Sequence, residues 1–377
     1  MDFSLDEEQQ AVRDLASRIF TERATPERLR ELELADDPAG PFDPQLWSDL
    51  AEAGLLGIAL GEDVGGAGLD FVALCQVIEA AGLTAAYAPV VETLVAAADT
   101  IERHGTATQR AAWLPQIAGG ALIATAATAE MIGDHIVEGL RAPSTTATQV
   151  VGGYLLNGIK ACVASGLRAG LLLIPATVAG EVKVFMVDAA DVTTERQDAA
   201  SRPEALVELS DVIVAEDRVL GGLDADGAAI VASLALRTTS ALCALEAGAA
   251  TSAVRLGAEY TSEREQFDKK IATFQAVGQR MADAYVDAEA IRLTAAQSAW
   301  RISQGLDAVE ETAIAKYWAA EGGQRVVHAS SHVHGGVGVD RDYPLHRFFL
   351  LTRQVELSLG GATASLLELG ARAAQGV

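Results

Sequence analysis

Two short stretches carry residue types suited to holding an anionic, planar ligand. The first is Arg264-Glu265-Gln266-Phe267, followed by Phe274-Gln275. An arginine at a helix end can pair bidentately with pyrophosphate while an aromatic ring supports a base or ribose. The same run also reads as a solvated charge cluster, because Glu263 and Glu265 flank Arg264. The second stretch is His334-Gly335-Gly336-Val337-Gly338. Paired glycines let backbone amides approach an anion, and they serve equally well to stop a helix. His328, His332 and His334 make a third group. His328 and His332 could share a helical face with His334 joining from the loop, but no carboxylate or second cluster stands nearby, so no metal site is expected. Nothing in composition or spacing selects any carboxylate as a general base.

These stretches need elements to position them. Ser4 followed by Glu7 predicts a capping box at the first helix, and Thr25-Pro26 predicts a second helix start. Apolar residues recur at helical spacing to about residue 118, punctuated by Pro38-Ala39-Gly40-Pro41 and Gly65-Gly66-Ala67-Gly68. From about Ala121 the texture changes. Asn157-Gly158, set between apolar residues, predicts a hairpin turn there. Leu171 to Ile174, Val182 to Val187 and Ala205 to Val214 read as strands, with the β-region ending near Gly221-Gly222. Longer helices follow. Leu242, Leu245, Ala249, Ala253, Leu256 and Tyr260 form one stripe; Phe274, Val277, Met281, Tyr285, Ala288, Ile291 and Ala295 form another. Such stripes predict a bundle, and their many alanines permit close helix approach and packing against other subunits. The expected fold class is α+β: an N-terminal α-helical domain over 1–120, a middle β-domain over 121–222, and a C-terminal four-helix-bundle domain over 223–377.

The 377 residues are 50% apolar and 21% charged, enough for a large core. Lys and Arg number 28 against 52 Asp and Glu, so the net charge is 28 − 52 = −24. That balance repels phosphate backbones and anionic lipid, so neither nucleic acid nor membrane is an expected partner. The segment Ala228 to Ala250 comes nearest to a spanning helix, but Arg237 and Glu246 interrupt it. The acidic start Met1-Asp2-Phe3-Ser4-Leu5-Asp6-Glu7 is unlike a secretory signal. Cys75, Cys162 and Cys243 lie far apart in apolar company and read as reduced core residues of a cytoplasmic protein.

Taken together, the chain resembles the acyl-CoA dehydrogenase family over essentially its whole length. Its α, β, α order matches that fold. Arg264-Glu265-Gln266-Phe267 with Phe274-Gln275 is similar to the family's Arg-x-x-Phe…Phe-Gln stretch. His332 to Tyr343-Pro344-Leu345 and Arg347 is similar to its Gln-x-x-Gly-Gly-x-Gly…Pro…Arg stretch. The resemblance implies FAD as cofactor and α,β-dehydrogenation of an acyl-CoA, in which a glutamate takes the α-proton and the flavin takes the β-hydride. It also implies that Arg264, Phe267, Phe274, Gln275, His332, Val333, Gly335 and Gly336 hold the adenosine pyrophosphate of an FAD shared between subunits.

The likeness fails where the chemistry sits. Counted from Gly335-Gly336, the family's base position falls on Leu359; the alternative base position, counted back from Phe267, falls on Thr238. Glu356 and Glu246 are the nearest carboxylates. Thr128-Ala129-Glu130-Met131-Ile132-Gly133-Asp134 stands where the family reads Thr-Glu-Pro…Gly-Ser-Asp. A chain that keeps the adenosine half and lacks the base resembles the non-catalytic subunits of actinobacterial heterotetrameric acyl-CoA dehydrogenases. This implies a catalytic homologue as partner, a steroid side-chain CoA thioester as substrate class, and an electron-transfer flavoprotein as acceptor. A self-sufficient homomeric dehydrogenase, a flavin monooxygenase on the same fold, and a purely structural scaffold are the alternatives.

Overall fold

The computed structural model describes residues 3–132, 135–138 and 142–375. Six helices come first: α1 (Glu7–Arg23), α2 (Pro26–Leu34), α3 (Pro44–Glu52), α4 (Phe71–Thr84), α5 (Thr100–His104) and α6 (Ala107–Ala118). A nine-residue π-helix, Val91–Asp99, leads into α5. The strands follow: β1 (Ala124–Ala126), β2 (Ala129–Ile132), β3 (His135–Glu138), β4 (Thr146–Val150), β5 (Gly153–Ala164), β6 (Leu171–Val178), β7 (Glu181–Asp188), β8 (Thr193–Gln197) and β9 (Glu204–Ala215). Then come α7 (Gly227–Glu263), the small hairpin β10 (Glu265–Gln266) and β11 (Lys269–Lys270), α8 (Gln275–Ser303), α9 (Val309–Tyr317), α10 (Gly323–His334), α11 (Leu345–Ser358) and α12 (Gly361–Gln375).

The chain forms two compact units. One comprises residues 32–70 and 88–238. Its sheet runs β1-β6-β4-β5-β2-β3, with β7 beside β6, and β9 joining β5 to β8. β6 shows why alternation is hard to see in its sequence: both faces are buried. Leu172 and Ile174 enter the core between the strands, whereas Leu171 and Leu173 meet Ala97, Ile101, Leu114 and Ile117 of the helices. The other unit comprises residues 1–31, 71–87 and 239–377. In it α4 and α7 cross at backbone contact. A Cβ on Gly82 would lie 2.0 Å from the Leu245 carbonyl, and one on Gly248 would lie 2.2 Å from that of Glu79.

Three local expectations need correction. The first helix is capped by Asp6, whose carboxylate accepts from the Gln9 amide while the Gln9 side chain returns to the Asp6 amide; Ser4 and Glu7 do not form the box. Asn157-Gly158 is not a turn but lies inside β5, at a register shift against β9. The Asn157 side chain bonds Asp211 across that shift, and the β4–β5 turn falls at Val151-Gly152. Gly152, at φ 82°, takes the left-handed conformation that Asn-Gly promised elsewhere. Finally, α7 runs unbroken through Arg237 and Glu246, and by length and composition it passes as a spanning helix. Both charges are buried, and Arg237 Nη2 donates to Asp99 Oδ1 at 2.8 Å. Cys75 and Cys243 are buried as expected; Cys162 is only half-buried and adopts φ +51°.

Candidate functional site

The helix α7 stops at Glu263, so Arg264 opens the β10–β11 hairpin rather than ending the helix. Its amide still donates to the Tyr260 carbonyl at 2.9 Å. Of the two flanking acids, Glu265 faces Lys270 across the hairpin and pairs with it at 3.0 Å, and Glu263 forms no ion pair with Arg264 among the described residues. The exposed Arg264 guanidinium therefore has no partner among the described residues, which favours anion binding over a self-neutralised charge cluster.

Phe267 and Asp268 form the turn, both at positive φ (56° and 61°). A phenylalanine there is strained, and strain of order 1–3 kcal/mol persists where surroundings or function demand it. Phe267 is 86% exposed and meets Phe274 edge-on at 6.2 Å. Lys269 lies over the other ring at 4.4 Å. Gln275 begins α8, whose start has no side-chain cap; the Val277 and Gly278 amides donate to the Phe274 carbonyl at 3.0 Å, so it is the first two amides, of Gln275 and Ala276, that can meet a negative group.

The glycine stretch reaches the same end of the bundle. α10 ends at His334, and Gly335 turns the chain at φ +60° into a 3₁₀ turn over Gly335–Val339. At both Gly335 and Gly336 the place of a Cβ is open space, and both are exposed, so a ligand can approach their backbone. The Tyr260 ring stacks on His334 with centroids 4.3 Å apart. Tyr260 is bonded to the amide of Arg264 and His334 is bonded in sequence to Gly335, so the two motifs, about 65 residues apart in sequence, are joined through this stack. His332 is exposed; the Val333 side chain is buried, which leaves only its backbone for a ligand. Residues of this kind — one guanidinium with no partner among the described residues, exposed aromatics, two exposed glycines with open space over their backbone and a helix start without a side-chain cap — fit an adenosine pyrophosphate.

The histidines do not gather around a vacant point. Both ring nitrogens of His334 are engaged, by the Ser330 carbonyl and the Tyr343 hydroxyl, and His328 packs edge-on against Phe349.

The base positions differ sharply from that open end. Leu359 is 2% exposed and caps α11, its amide donating to the Val355 carbonyl at 2.9 Å. The Thr238 hydroxyl is buried without a hydrogen-bond partner. Glu356 pairs with Arg353 at 2.6 Å on α11. Glu246 lies wholly inside the bundle. Thr352 donates to its Oε1 at 2.9 Å, its Oε2 has no hydrogen-bond partner among the described residues, and a Cβ on Gly323 would fall 2.4 Å from Oε1. A π-helical turn, Trp318–Gly322, brings that glycine into place. Burial pushes the Glu246 carboxyl up to about 8, against the opposing Thr352 bond. Such a group has a suitable proton affinity for a base but no exposed surface through which to meet a substrate.

In the sheet unit, Gly133 and Asp134 of the drifted stretch lie outside the described residues. Within it, Glu130 is buried and accepts from the amides and hydroxyls of Ser144 and Thr145 and from Lys160. Lys160 also donates to the Pro175 carbonyl at 2.8 Å. Burial alone would raise this carboxyl, but the Lys160, Thr145 and Ser144 bonds outweigh it and hold Glu130 down at about 2. Sequence reasoning missed this pair. The available signal was a lysine inside the apolar strand Tyr154 to Val163, which demands a buried counter-charge.

The acyl-CoA dehydrogenase N-terminal domain model matches residues 6–121, and the C-terminal domain model matches residues 226–375. Over its full length the chain is 35% identical to acyl-CoA dehydrogenase FadE27 of Mycobacterium tuberculosis (strain ATCC 25618 / H37Rv), covering 99% of that protein. It superposes on a chain of the ChsE4–ChsE5 complex from Mycobacterium tuberculosis with a TM-score of 0.92, at 36% identity and 99% coverage of both chains. A chain of the Tcur3481–Tcur3483 steroid ACAD, solved as a glycine-to-alanine variant, matches at TM-score 0.89 and 39% identity, with 98% of each chain covered. The α, β, α order, the two motifs joined at one end of the bundle and these full-length matches agree, and the chain belongs to the acyl-CoA dehydrogenase family of FAD-dependent oxidoreductases.

Proposed function

We propose that this chain is the supporting subunit of a heteromeric FAD-dependent acyl-CoA dehydrogenase. It completes the adenosine-pyrophosphate end of an FAD held mainly by a homologous catalytic chain, and it contributes no base. The observation that carries this reading is the pairing of an open motif with a closed one. Arg264, without a partner among the described residues, and Phe267, 86% exposed, project from the hairpin, while Leu359, at the family's base position, is an apolar side chain sealed into the bundle.

Bound FAD supplies the hydride acceptor for the oxidation. The chain's own part is binding and orientation. Arg264 offers a bidentate charge-assisted contact to a pyrophosphate, Gly335 and Gly336 offer close approach to the backbone, and Phe267 with Phe274 offers an apolar wall for the adenine. Neither Leu359 nor the Thr238 hydroxyl can hold the α-proton of an acyl-CoA, so that proton passes to a carboxylate on the partner. Two relatives support the substrate and partner classes. ChsE4–ChsE5 is a two-chain complex, and Tcur3481–Tcur3483 is a steroid ACAD. We therefore assign a steroid side-chain CoA thioester as substrate, a heterotetramer as assembly, an electron-transfer flavoprotein as acceptor, and the cytoplasm as compartment.

The test is flavin content. The chain purified alone is expected to be colourless, and to gain FAD and activity only with a catalytic homologue. Replacing Arg264→Ala in that complex should cut FAD retention by about tenfold or more, the loss of one charge-assisted contact. A yellow lone chain bleached by an acyl-CoA, or unchanged FAD in the variant complex, would refute the proposal.

A further inference from the structure

His334 is 3% exposed at the last position of α10. Its Nδ1 lies 2.7 Å from the Ser330 carbonyl, which can only accept, so Nδ1 carries the proton. That leaves Nε2 as an acceptor, and the Tyr343 hydroxyl donates to it at 3.0 Å. The Tyr260 ring covers one face at 4.3 Å, and Tyr343 closes the group at 5.0 Å from His334 and 6.4 Å from Tyr260. Three separate segments therefore meet in one ring cluster, in which the half-buried Tyr260 and Tyr343 enclose the buried His334. Burial also holds the His334 imidazole below its usual range, which keeps the acceptor nitrogen unprotonated.

The cluster sits between the two motifs that the proposed function assigns to FAD. Tyr260 holds the Arg264 amide through its carbonyl at 2.9 Å. His334 precedes Gly335 directly, and a Cβ on Gly338 would lie 2.6 Å from the Ser331 carbonyl and 3.1 Å from the His334 Cβ. The 335–339 turn thus folds back onto the residue that anchors it. Tyr343 is held by its own turn, its amide donating to the Asp340 carbonyl at 3.2 Å. A side chain with both nitrogens satisfied and both neighbours aromatic has few alternative rotamers, so the spacing from hairpin to glycine turn is set by this contact.

We propose that His334, clamped between Tyr260 and Tyr343, is a positioning residue that sets the separation between Arg264 and the Gly335-Gly336 turn, and so the affinity for the adenosine end of FAD. The inference rests on the proposed function, and its test separates the two.

Dissociation constants for FAD and for FMN, which lacks the adenosine, are measured on the assembled flavoprotein after flavin removal. His334→Ala should weaken FAD about tenfold and leave FMN unchanged. Tyr343→Phe, which removes one hydroxyl and little volume, should weaken FAD about threefold with the same selectivity, and it keeps the test open if His334→Ala fails to assemble. His334→Phe retains the stack on Tyr260 but strands the Tyr343 hydroxyl; adding Tyr343→Phe to it should recover affinity. Arg264→Ala is the control. If it weakens FAD while the His334 and Tyr343 variants do not, or if they weaken FAD and FMN alike, the clamp is wrong. If Arg264→Ala leaves FAD untouched, the assignment of the adenosine end fails and takes the clamp with it.

Discussion

Glu130 and Glu246 are both fully buried carboxylates, one in the sheet unit and one in the helical bundle. They titrate at opposite ends of the scale. Glu130 is held at about 2 and Glu246 is pushed up to about 8. Burial is common to both, so it cannot be the discriminator. The donors are: Glu130 collects two amides, two hydroxyls and an ammonium, whereas Glu246 collects a single hydroxyl and leaves Oε2 unpaired. A carboxylate removed from water stays charged only where the protein replaces its hydration shell. Neither can serve the reaction. Glu130 is an anion spent on holding the 144–145 segment, and Glu246 is a neutral acid sealed from solvent. The contrast accords with the proposed function, in which a chain with 52 acidic residues carries the dehydrogenase fold and supplies no base.

The largest effect expected from breaking this contrast comes at the ion pair. Lys160→Met leaves Glu130 buried without its counter-charge and should destabilise the sheet unit by about 3–5 kcal/mol, read by urea unfolding. A loss below about 1 kcal/mol would mean that the four remaining donors suffice. Next comes Glu246→Gln. Because the folded group titrates near 8 and the unfolded one near 4.5, the folded state binds the extra proton between those values. Wild-type stability should therefore fall as pH rises from about 4.5 to about 8, by up to roughly 1.4 kcal/mol per pH unit, and level off above. The glutamine variant should lack that slope, so its advantage in thermal midpoint should widen from about pH 5 to about pH 8. Parallel pH curves would show that Glu246 is already ionised in the fold. The smallest effects come from single donors. Ser144→Ala and Thr352→Val should each cost about 1 kcal/mol. They should also differ in kind: Thr352→Val raises the Glu246 titration further, while Glu130, with other donors in reserve, stays ionised at neutral pH. Equal shifts at both sites, followed by carboxyl NMR, would erase the distinction.

Much of the site was legible in the primary structure because its chemistry is local. Arg264 to Gln275 and His332 to Gly336 each lie on consecutive turns, so residue type and spacing were enough to mark them. Their ambiguity was also local. Pairing bears on it: Glu265 faces Lys270, and Arg264 has no partner among the described residues, which favours the anion-binding reading. The Asn157-Gly158 expectation failed for the complementary reason. A left-handed preference identifies a place where the backbone bends, and whether that bend becomes a turn or a bulge depends on the strand across from it.

What the sequence determined by itself was the α, β, α order, the long bundle helices, the absence of a proton acceptor at Leu359 and the two motifs to which the proposed function gives the FAD. These follow from periodicity, turn chemistry and side-chain type, which act over a few residues. What the tertiary structure decided was which polar groups met. Tyr260, His334 and Tyr343 converge from three segments, Lys160 finds Glu130, and Glu246 is enclosed by Thr352 and Gly323. Each of those outcomes depends on the distance between residues remote in the chain, and an electrostatic or hydrogen-bond energy is defined only once that distance exists.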